Sequence, residues 1–114
     1  MITRRLSEVG MMENAHGVDA RNLYNTEDAV LTVITLEPGQ SLKRHITPVD
    51  VAFYVLEGTG VVEIGDEKAE VTKNTLIESP QDIVHCLHNE SDEPFRFIVL
   101  KAPRPTKKTV FVGE

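Results

Sequence analysis

The chain has 114 residues, of which 40% are hydrophobic, so it is long enough to bury one continuous core and is predicted to form a single domain. Its 18 acidic and 12 basic residues give a formal net charge of −6, which argues against nucleic acid and anionic membranes as partners. The single cysteine, Cys86, has no partner for an intramolecular disulfide, and the N-terminus lacks a signal-peptide pattern. We therefore expect a cytoplasmic protein that does not enter the membrane.

The chain divides into an arm, a β-rich body and a tail. Residues 1–28 form an irregular arm, in which Leu6, Val9 and Met12 favour at most a short helix. Apolar and β-branched runs separated by turn signals then predict an all-β domain over residues 29–105, and residues 106–114 are predicted to be a tail or an edge strand. The predicted strands are 29–36, 51–56, 61–64, 68–71, 75–78, 83–88 and 95–100.

The strand at residues 51–56 is apolar on both faces. Because side chains alternate along a strand, Val51, Phe53 and Val55 share one face, and the three residues between them share the other. A strand that is apolar on both sides in a small domain predicts that its outer face is covered by another chain. We therefore expect a homodimer.

Two segments resemble the paired motifs of the cupin superfamily. The first family motif places a histidine between two glycines at fixed spacing, and the second runs from a glycine through a proline to a histidine and an asparagine. Matching residues of this chain are Gly39, His45 and Gly58 in the first motif and Pro80, His85 and Asn89 in the second. The resemblance implies a double-stranded β-helix, or jelly-roll barrel, in which both histidines face one pocket.

The chain departs from the family pattern at the residues that carry its chemistry. Thr47 stands where the second histidine of the first motif is expected, and Val51 stands where the glutamate is expected. Asn74 and Asp82 replace two glycines of the second motif, a smaller change because Asn and Asp tolerate turn conformations. The resemblance therefore implies the fold but only half of the family's metal-ligand set.

His45 and His85 are the predicted metal ligands. Imidazole nitrogens bind zinc, nickel and iron well, and the resemblance adds manganese, so we expect either one such divalent ion or, as an equal alternative, a metal-free pocket. Thr47, Val51 and Phe53 are predicted to line the pocket. Glu78 is a candidate pocket acid or base, although a surface role is the stronger alternative. Asp50 is one residue out of register and is expected to face solvent.

The other titratable side chains are assigned to the surface or to packing. Parity places Cys86 and His88 on the strand face opposite His85, with Cys86 as a buried structural thiol. His16 and Tyr24 lie in the arm, which is expected either to fold over the pocket or to cross to a partner subunit. A surface position is the stronger expectation for His16.

The sequence predicts a small-molecule binding protein and assigns no catalytic residue. The leading hypothesis is a cytoplasmic cupin that binds a small polar metabolite, directly or through a weakly held metal on His45 and His85. One alternative is an enzyme, either a metal-dependent oxygenase or an isomerase or epimerase in which the two histidines exchange a proton. The other alternative is a sensor or regulatory module without turnover, because this fold alone fixes no reaction.

Overall fold

The structure, a computed structural model, describes residues 1–113 and contains ten strands in that part of the chain. A single turn of 3-10 helix, Leu6–Glu8, precedes them. The strands are β1 Asp19–Asn25, β2 Val30–Leu36, β3 His45–Ile46, β4 Asp50–Glu57, β5 Thr59–Ile64, β6 Glu67–Thr72, β7 Leu76–Ser79, β8 Val84–His88, β9 Phe95–Ala102 and β10 Val110–Phe111. Within residues 1–113, no helix is long and apolar enough to cross a membrane.

The strands form two five-stranded sheets with the orders β1-β2-β9-β4-β7 and β10-β3-β8-β5-β6. Neighbouring strands run antiparallel, and the chain crosses repeatedly between the sheets. This is the double-stranded β-helix implied by the sequence motifs, and the all-β prediction is confirmed. The two sheets pack face to face, and the side chains of their two inner faces form the core between them.

The core lies between the two sheets and is built from their inward-facing apolar residues. Along β4 the side chains of Val51, Phe53 and Val55 are buried, whereas the residues between them are only half-buried. The predicted alternation on this strand is therefore confirmed. Phe53 and Phe97 pack edge to face with their ring centroids 6.0 Å apart, a favoured geometry for aromatic pairs.

The N-terminal arm is more ordered than the sequence suggested. Residues 19–25 form β1, which pairs with β2 at the edge of the first sheet, so the irregular part of the arm ends before Asp19. Polar residues interrupt the apolar pattern in β1, which is why its sequence alone did not indicate a strand. At the other end, Val110 and Phe111 form the edge strand that was one of the two predicted alternatives.

The backbone conformation of two turns explains why Asn74 and Asp82 can stand where the family motif has glycine. Asn74 and Asp82 adopt φ angles of 67° and 65°, in the left-handed region that Asn and Asp enter at lower cost than other non-glycine residues. Gly58 has a φ of 84°, and a Cβ atom there would lie 2.2 Å from the carbonyl oxygen of Pro94. Glycine is therefore required at residue 58, whereas the turns at 74 and 82 keep their shape without it.

Candidate functional site

A cavity of about 220 Å³ opens between the sheets. Inward-facing residues of β2, β4, β8 and β9 form its walls, while the N-terminal arm and β10 form its rim. Its polar lining residues are Asn14, His16, Thr32, His45, Thr47, His85, Lys101 and Thr109. The apolar lining includes Val51, Phe53 and Phe111. The cavity is thus small and mostly apolar, with a few convergent polar groups, as is usual for ligand sites.

His45 and His85 meet in the lining of the cavity. They are register partners in the β3–β8 pair, and their Nε2 atoms lie 3.0 Å apart. The Nδ1 atom of His45 lies 2.6 Å from the carbonyl oxygen of Lys43, which can only accept, so Nδ1 carries the proton. In the neutral ring the Nε2 atom of His45 is therefore a hydrogen-bond acceptor that points at His85.

His85 is held by two hydroxyl groups. Its Nδ1 atom lies 2.7 Å from Ser79 Oγ, and its Nε2 atom lies 3.3 Å from Thr47 Oγ1. Because His45 Nε2 is an acceptor, His85 Nε2–H donates to it, and His85 Nδ1 accepts from the Ser79 hydroxyl. The opposite tautomer of His85 would place two unprotonated Nε2 atoms 3.0 Å apart, so the contacts favour the tautomer with the proton on Nε2.

Both histidines are kept neutral by their surroundings. Burial, followed by the proximity of His45, lowers the pKa of His85 from 6.5 to about 3. Burial also lowers the pKa of His45, although the hydrogen bond to the Lys43 carbonyl partly opposes this. At neutral pH both rings are therefore uncharged and are available as ligands or as proton acceptors.

Lys101 supplies the only formal charge that remains in the lining at neutral pH among the residues the structure describes. It occupies an inward position of β9, two residues after Val99, and burial lowers its pKa. The described residues give its ammonium group no ion-pair partner, and no Asp or Glu of residues 1–113 lines the cavity. Lys101 was not predicted as a pocket residue because the predicted strand 95–100 ends before it, whereas β9 extends to Ala102 and places Lys101 on the inner face with Phe95 and Phe97.

His16 reaches the cavity rim, so the expectation of a surface position for it is wrong. Its ring lies 4.8 Å from the ring of His45 and 5.6 Å from that of Phe111, centroid to centroid. Its Nδ1 atom accepts a hydrogen bond from the backbone N–H of Lys43. Burial, then the proximity of His45, lowers the pKa of His16 to about 4. Tyr24, by contrast, is exposed on β1 and does not line the cavity.

The remaining predicted site residues divide between the cavity lining and the outer surface. Thr47, Val51 and Phe53 line the cavity. Glu78 does not, and its placement is corrected: it is exposed on the outer face of β7, and the adjacent Ser79 points inward. Asp50 is also exposed, and its carboxylate accepts a hydrogen bond from the Gln81 backbone.

The donor atoms in the cavity fit a resident catalytic metal poorly. Two imidazole nitrogens converge, and the hydrogen bond from His45 to a carbonyl is of the kind that orients metal-ligating histidines. Catalytic zinc sites, however, have three protein ligands, and within residues 1–113 no Asp, Glu, Cys or further His nitrogen comes close enough to both histidines to complete such a set. Val51 stands at the position where the motif has a carboxylate, so the cavity lacks the third protein ligand that such a metal requires.

Comparisons with known proteins agree with this architecture. A protein from Thermus thermophilus, TT1209, superposes with a TM-score of 0.79 at 29% identity, covering 92% of this chain and 100% of its own. The polyketide cyclase RemF from Streptomyces resistomycificus superposes with a TM-score of 0.85 at 22% identity. The match covers 100% of this chain and 87% of RemF. A protein with a double-stranded beta-helix domain from Klebsiella pneumoniae superposes with a TM-score of 0.81 at 20% identity. The match covers 98% of this chain and 97% of that protein.

No curated protein sequence matches the chain significantly. The family model described as "Cupin domain" matches residues 32–101, a segment that runs from β2 to β9 and includes both pocket histidines. Since this match covers more than half of the chain and the fold agrees with it, the chain belongs to the cupin family.

Proposed function

We propose that the protein is a cytoplasmic cupin that binds a small anionic metabolite between Lys101 and the histidine pair. One observation supports this most directly: Lys101 faces a cavity whose lining contains no carboxylate among residues 1–113. A partly buried ammonium group without a counter-charge is unfavourable in a medium of low polarity. A ligand carboxylate that enters the cavity would provide that charge and form a charge-assisted hydrogen bond.

The size and polarity of the cavity restrict the ligand further. A volume of about 220 Å³ lies below the range typical for drug-sized ligands, about 300–1,000 Å³. Thr47 and the imidazoles of His45 and His85 can pair with one or two further oxygen atoms of the ligand. We therefore propose a carboxylic acid of a few carbon atoms as the ligand.

The histidine pair favours proton transfer as a second candidate function. His45 Nε2 accepts a hydrogen bond from His85 Nε2–H over 3.0 Å, so one ring offers a base and the other an acid. A carbonyl compound that displaces this hydrogen bond would give up a proton to His45 Nε2 and receive a proton from His85 Nε2. Such an exchange is the chemistry of an isomerase or epimerase and needs no metal.

Replacement of Lys101 by methionine tests the binding proposal. Lys101→Met keeps most of the alkyl chain and removes the charge, so we expect affinity for the best-binding short carboxylate to fall about 10- to 100-fold, as expected for loss of a charged hydrogen bond. The measurement is calorimetric titration with a panel of short mono- and dicarboxylates and their neutral amides. Lys101→Arg should retain most of the affinity because it keeps the charge.

Lys107→Met is the matched control because Lys107 is exposed and outside the cavity. Equal affinities of the wild type, Lys101→Met and Lys107→Met for every carboxylate would refute the proposal, as would stronger binding of the amides. Repeating the titration after treatment with a chelator measures the contribution of a weakly held metal on His45 and His85. Unchanged affinity in chelator is the expected result.

We also propose that the protein forms a homodimer through the outer face of its first sheet. The register of β2, β9, β4 and β7 places apolar side chains in adjacent rows on that face. One row contains Ile98, Tyr54 and Leu76, and the next contains Leu31, Leu100 and Ala52 and ends at Glu78 of β7. Leu76 is 58% exposed. A mostly apolar sheet face of this kind, with the Glu78 carboxylate at its β7 edge, suits a self-complementary contact with a second copy.

A charge at Leu76 should shift the protein from dimer to monomer. In a two-fold interface each substitution appears twice, so Leu76→Glu adds two charges to one contact and is expected to weaken association at least about 10-fold. Light scattering after size-exclusion chromatography measures the mass. Ile83→Glu is the control, because Ile83 is 40% exposed but lies outside the first sheet. A wild-type monomer, or a Leu76→Glu dimer of unchanged affinity, would contradict the proposal.

A further inference from the structure

A second cluster of polar side chains lies on the face of β8 opposite the cavity. Cys86 and His88 alternate along the strand with the inward-facing His85 and Leu87. Glu63 of β5 stands directly opposite Cys86 in the register of the two strands. A thiol, an imidazole and a carboxylate therefore converge at a place that the pocket does not use.

The three donor atoms lie within one coordination sphere of each other. Cys86 Sγ lies 3.3 Å from His88 Nε2 and 3.8 Å from Glu63 Oε2, and His88 Nε2 lies 2.5 Å from the same carboxylate oxygen. Tetrahedral zinc with bonds of about 2.0–2.3 Å separates its ligand atoms by about 3.3–3.6 Å. Only the carboxylate needs to withdraw, by roughly 1 Å, and Glu63 is partly exposed and free to do so.

Ser41 orients the imidazole from the other side. Its Oγ lies 2.9 Å from His88 Nδ1, and Ser41 is bridged to His88 through the backbone. A hydrogen-bond partner on the second ring nitrogen fixes the tautomer of a metal-ligating histidine and strengthens the ligand. The cluster thus has three donors together with the supporting contact that metal sites use.

We propose that Glu63, Cys86 and His88 bind a divalent transition-metal ion, for which zinc is the best fit. Zinc accepts this mixture of sulfur, nitrogen and oxygen ligands, and water would complete the tetrahedron. The thiolate and the carboxylate together balance the two positive charges of the ion. The bound ion would join β5 to β8 behind the pocket.

Metal binding at this cluster displaces protons in a defined way. In the metal-free protein, burial raises the pKa of the Cys86 thiol to about 11, so the thiol is protonated, whereas the hydrogen bond from His88 lowers the pKa of Glu63. On binding, the Cys86 proton leaves to solvent. In a neutral His88 the proton moves from Nε2 to Nδ1, where it is donated to Ser41. Lys68 lies across from Glu63 but forms no ion pair with it within residues 1–113.

Cobalt provides a spectroscopic test because a thiolate ligand gives Co²⁺ an intense near-ultraviolet charge-transfer band. Cys86 is the single cysteine of the chain, so such a band can come from no other residue. We expect full-length reduced protein to bind Co²⁺ with this band and Zn²⁺ to abolish the band by displacement. Ser41→Ala should weaken Co²⁺ binding about 10- to 100-fold, and Glu63→Gln and His88→Gln should weaken it at least as much.

The variant His45→Ala/His85→Ala separates this site from the pocket and should retain the band. Absence of the band in the wild type at saturating Co²⁺ would overturn the proposal. A band of unchanged affinity in both Glu63→Gln and His88→Gln would also overturn it, because the thiol would then bind the ion without its two partners. Glu63 is partly exposed and glutamine has nearly its shape, so this readout does not depend on a variant that disturbs the core.

Discussion

Phe53→Ala is expected to lower the free energy of unfolding by about 3–5 kcal/mol, the usual cost of emptying a buried aromatic site. Phe53 is 1% exposed, and its ring meets those of His85 and Phe97 at 5.2 and 6.0 Å. The substitution therefore removes the contact between the core and the cavity wall. Urea unfolding at neutral pH measures the loss of stability. The dependence of the free energy of unfolding on urea concentration should match that of the wild type.

Phe53→Leu is the matched variant because it keeps an apolar side chain at the same place. We expect it to cost roughly 1 kcal/mol, as near-volume-conserving core exchanges do, and to leave carboxylate binding largely intact. Phe53→Ala should in addition admit water beside His85, because the ring no longer covers that side of the imidazole. Equal stability of the two variants would show that Phe53 contributes little packing to the cavity wall.

The motif spacing predicted the meeting of His45 and His85 because the family's two motifs lie on neighbouring strands of one fold. These residues are 40 positions apart in sequence, and the β3–β8 pair makes them register partners. The same spacing identified Asn74 and Asp82 as turn residues that replace glycine, in agreement with their positive φ angles. Local rules of strand parity then fixed the inner face of β4.

The parts of the site that escaped prediction depend on contacts without a local sequence signal. His16 reaches the cavity through an irregular arm, and no periodic pattern shows where such an arm goes. Glu63 joins Cys86 and His88 only because β5 pairs with β8, two strands that are not consecutive. Lys101 is a different case: the predicted strand ended at residue 100, and the observed extension of β9 to Ala102 gives Lys101 an inward position.

Glu78 shows the limit of parity when the strand end is uncertain. A short apolar run with a single acidic residue is consistent with either face, and the pairing of β7 with β4 decides it by placing Glu78 opposite the outward-facing Ala52. Ser79 then faces inward and holds His85 Nδ1. A shift of the strand by one residue would place the Glu78 carboxylate beside the histidine pair, where the observed register places the Ser79 hydroxyl.

Acidification is expected to destabilise the metal-free protein through His85. Burial lowers the pKa of this residue from 6.5 to about 3, so between these values the unfolded chain binds a proton that the folded protein does not. Stability therefore falls as the pH decreases below 6.5. From pH 7 to pH 5, His85 alone should reduce the free energy of unfolding by about 2 kcal/mol.

The comparison with His85→Gln isolates this contribution, because His16, His45 and the carboxylates titrate in both proteins. Urea unfolding of both proteins in chelator, at a series of pH values from 7 to 5, should give a pH dependence that is steeper for the wild type by that amount. Parallel curves would mean that His85 gains its proton inside the folded protein as readily as in the unfolded chain. In that case the ring would be charged in mildly acidic solution and would attract an anion itself, and the neutral pair required for proton exchange would be lost. The difference between the wild type and His85→Gln in the pH dependence of the free energy of unfolding therefore decides how the histidine pair acts. It is either a neutral acid and base or a second cation beside Lys101.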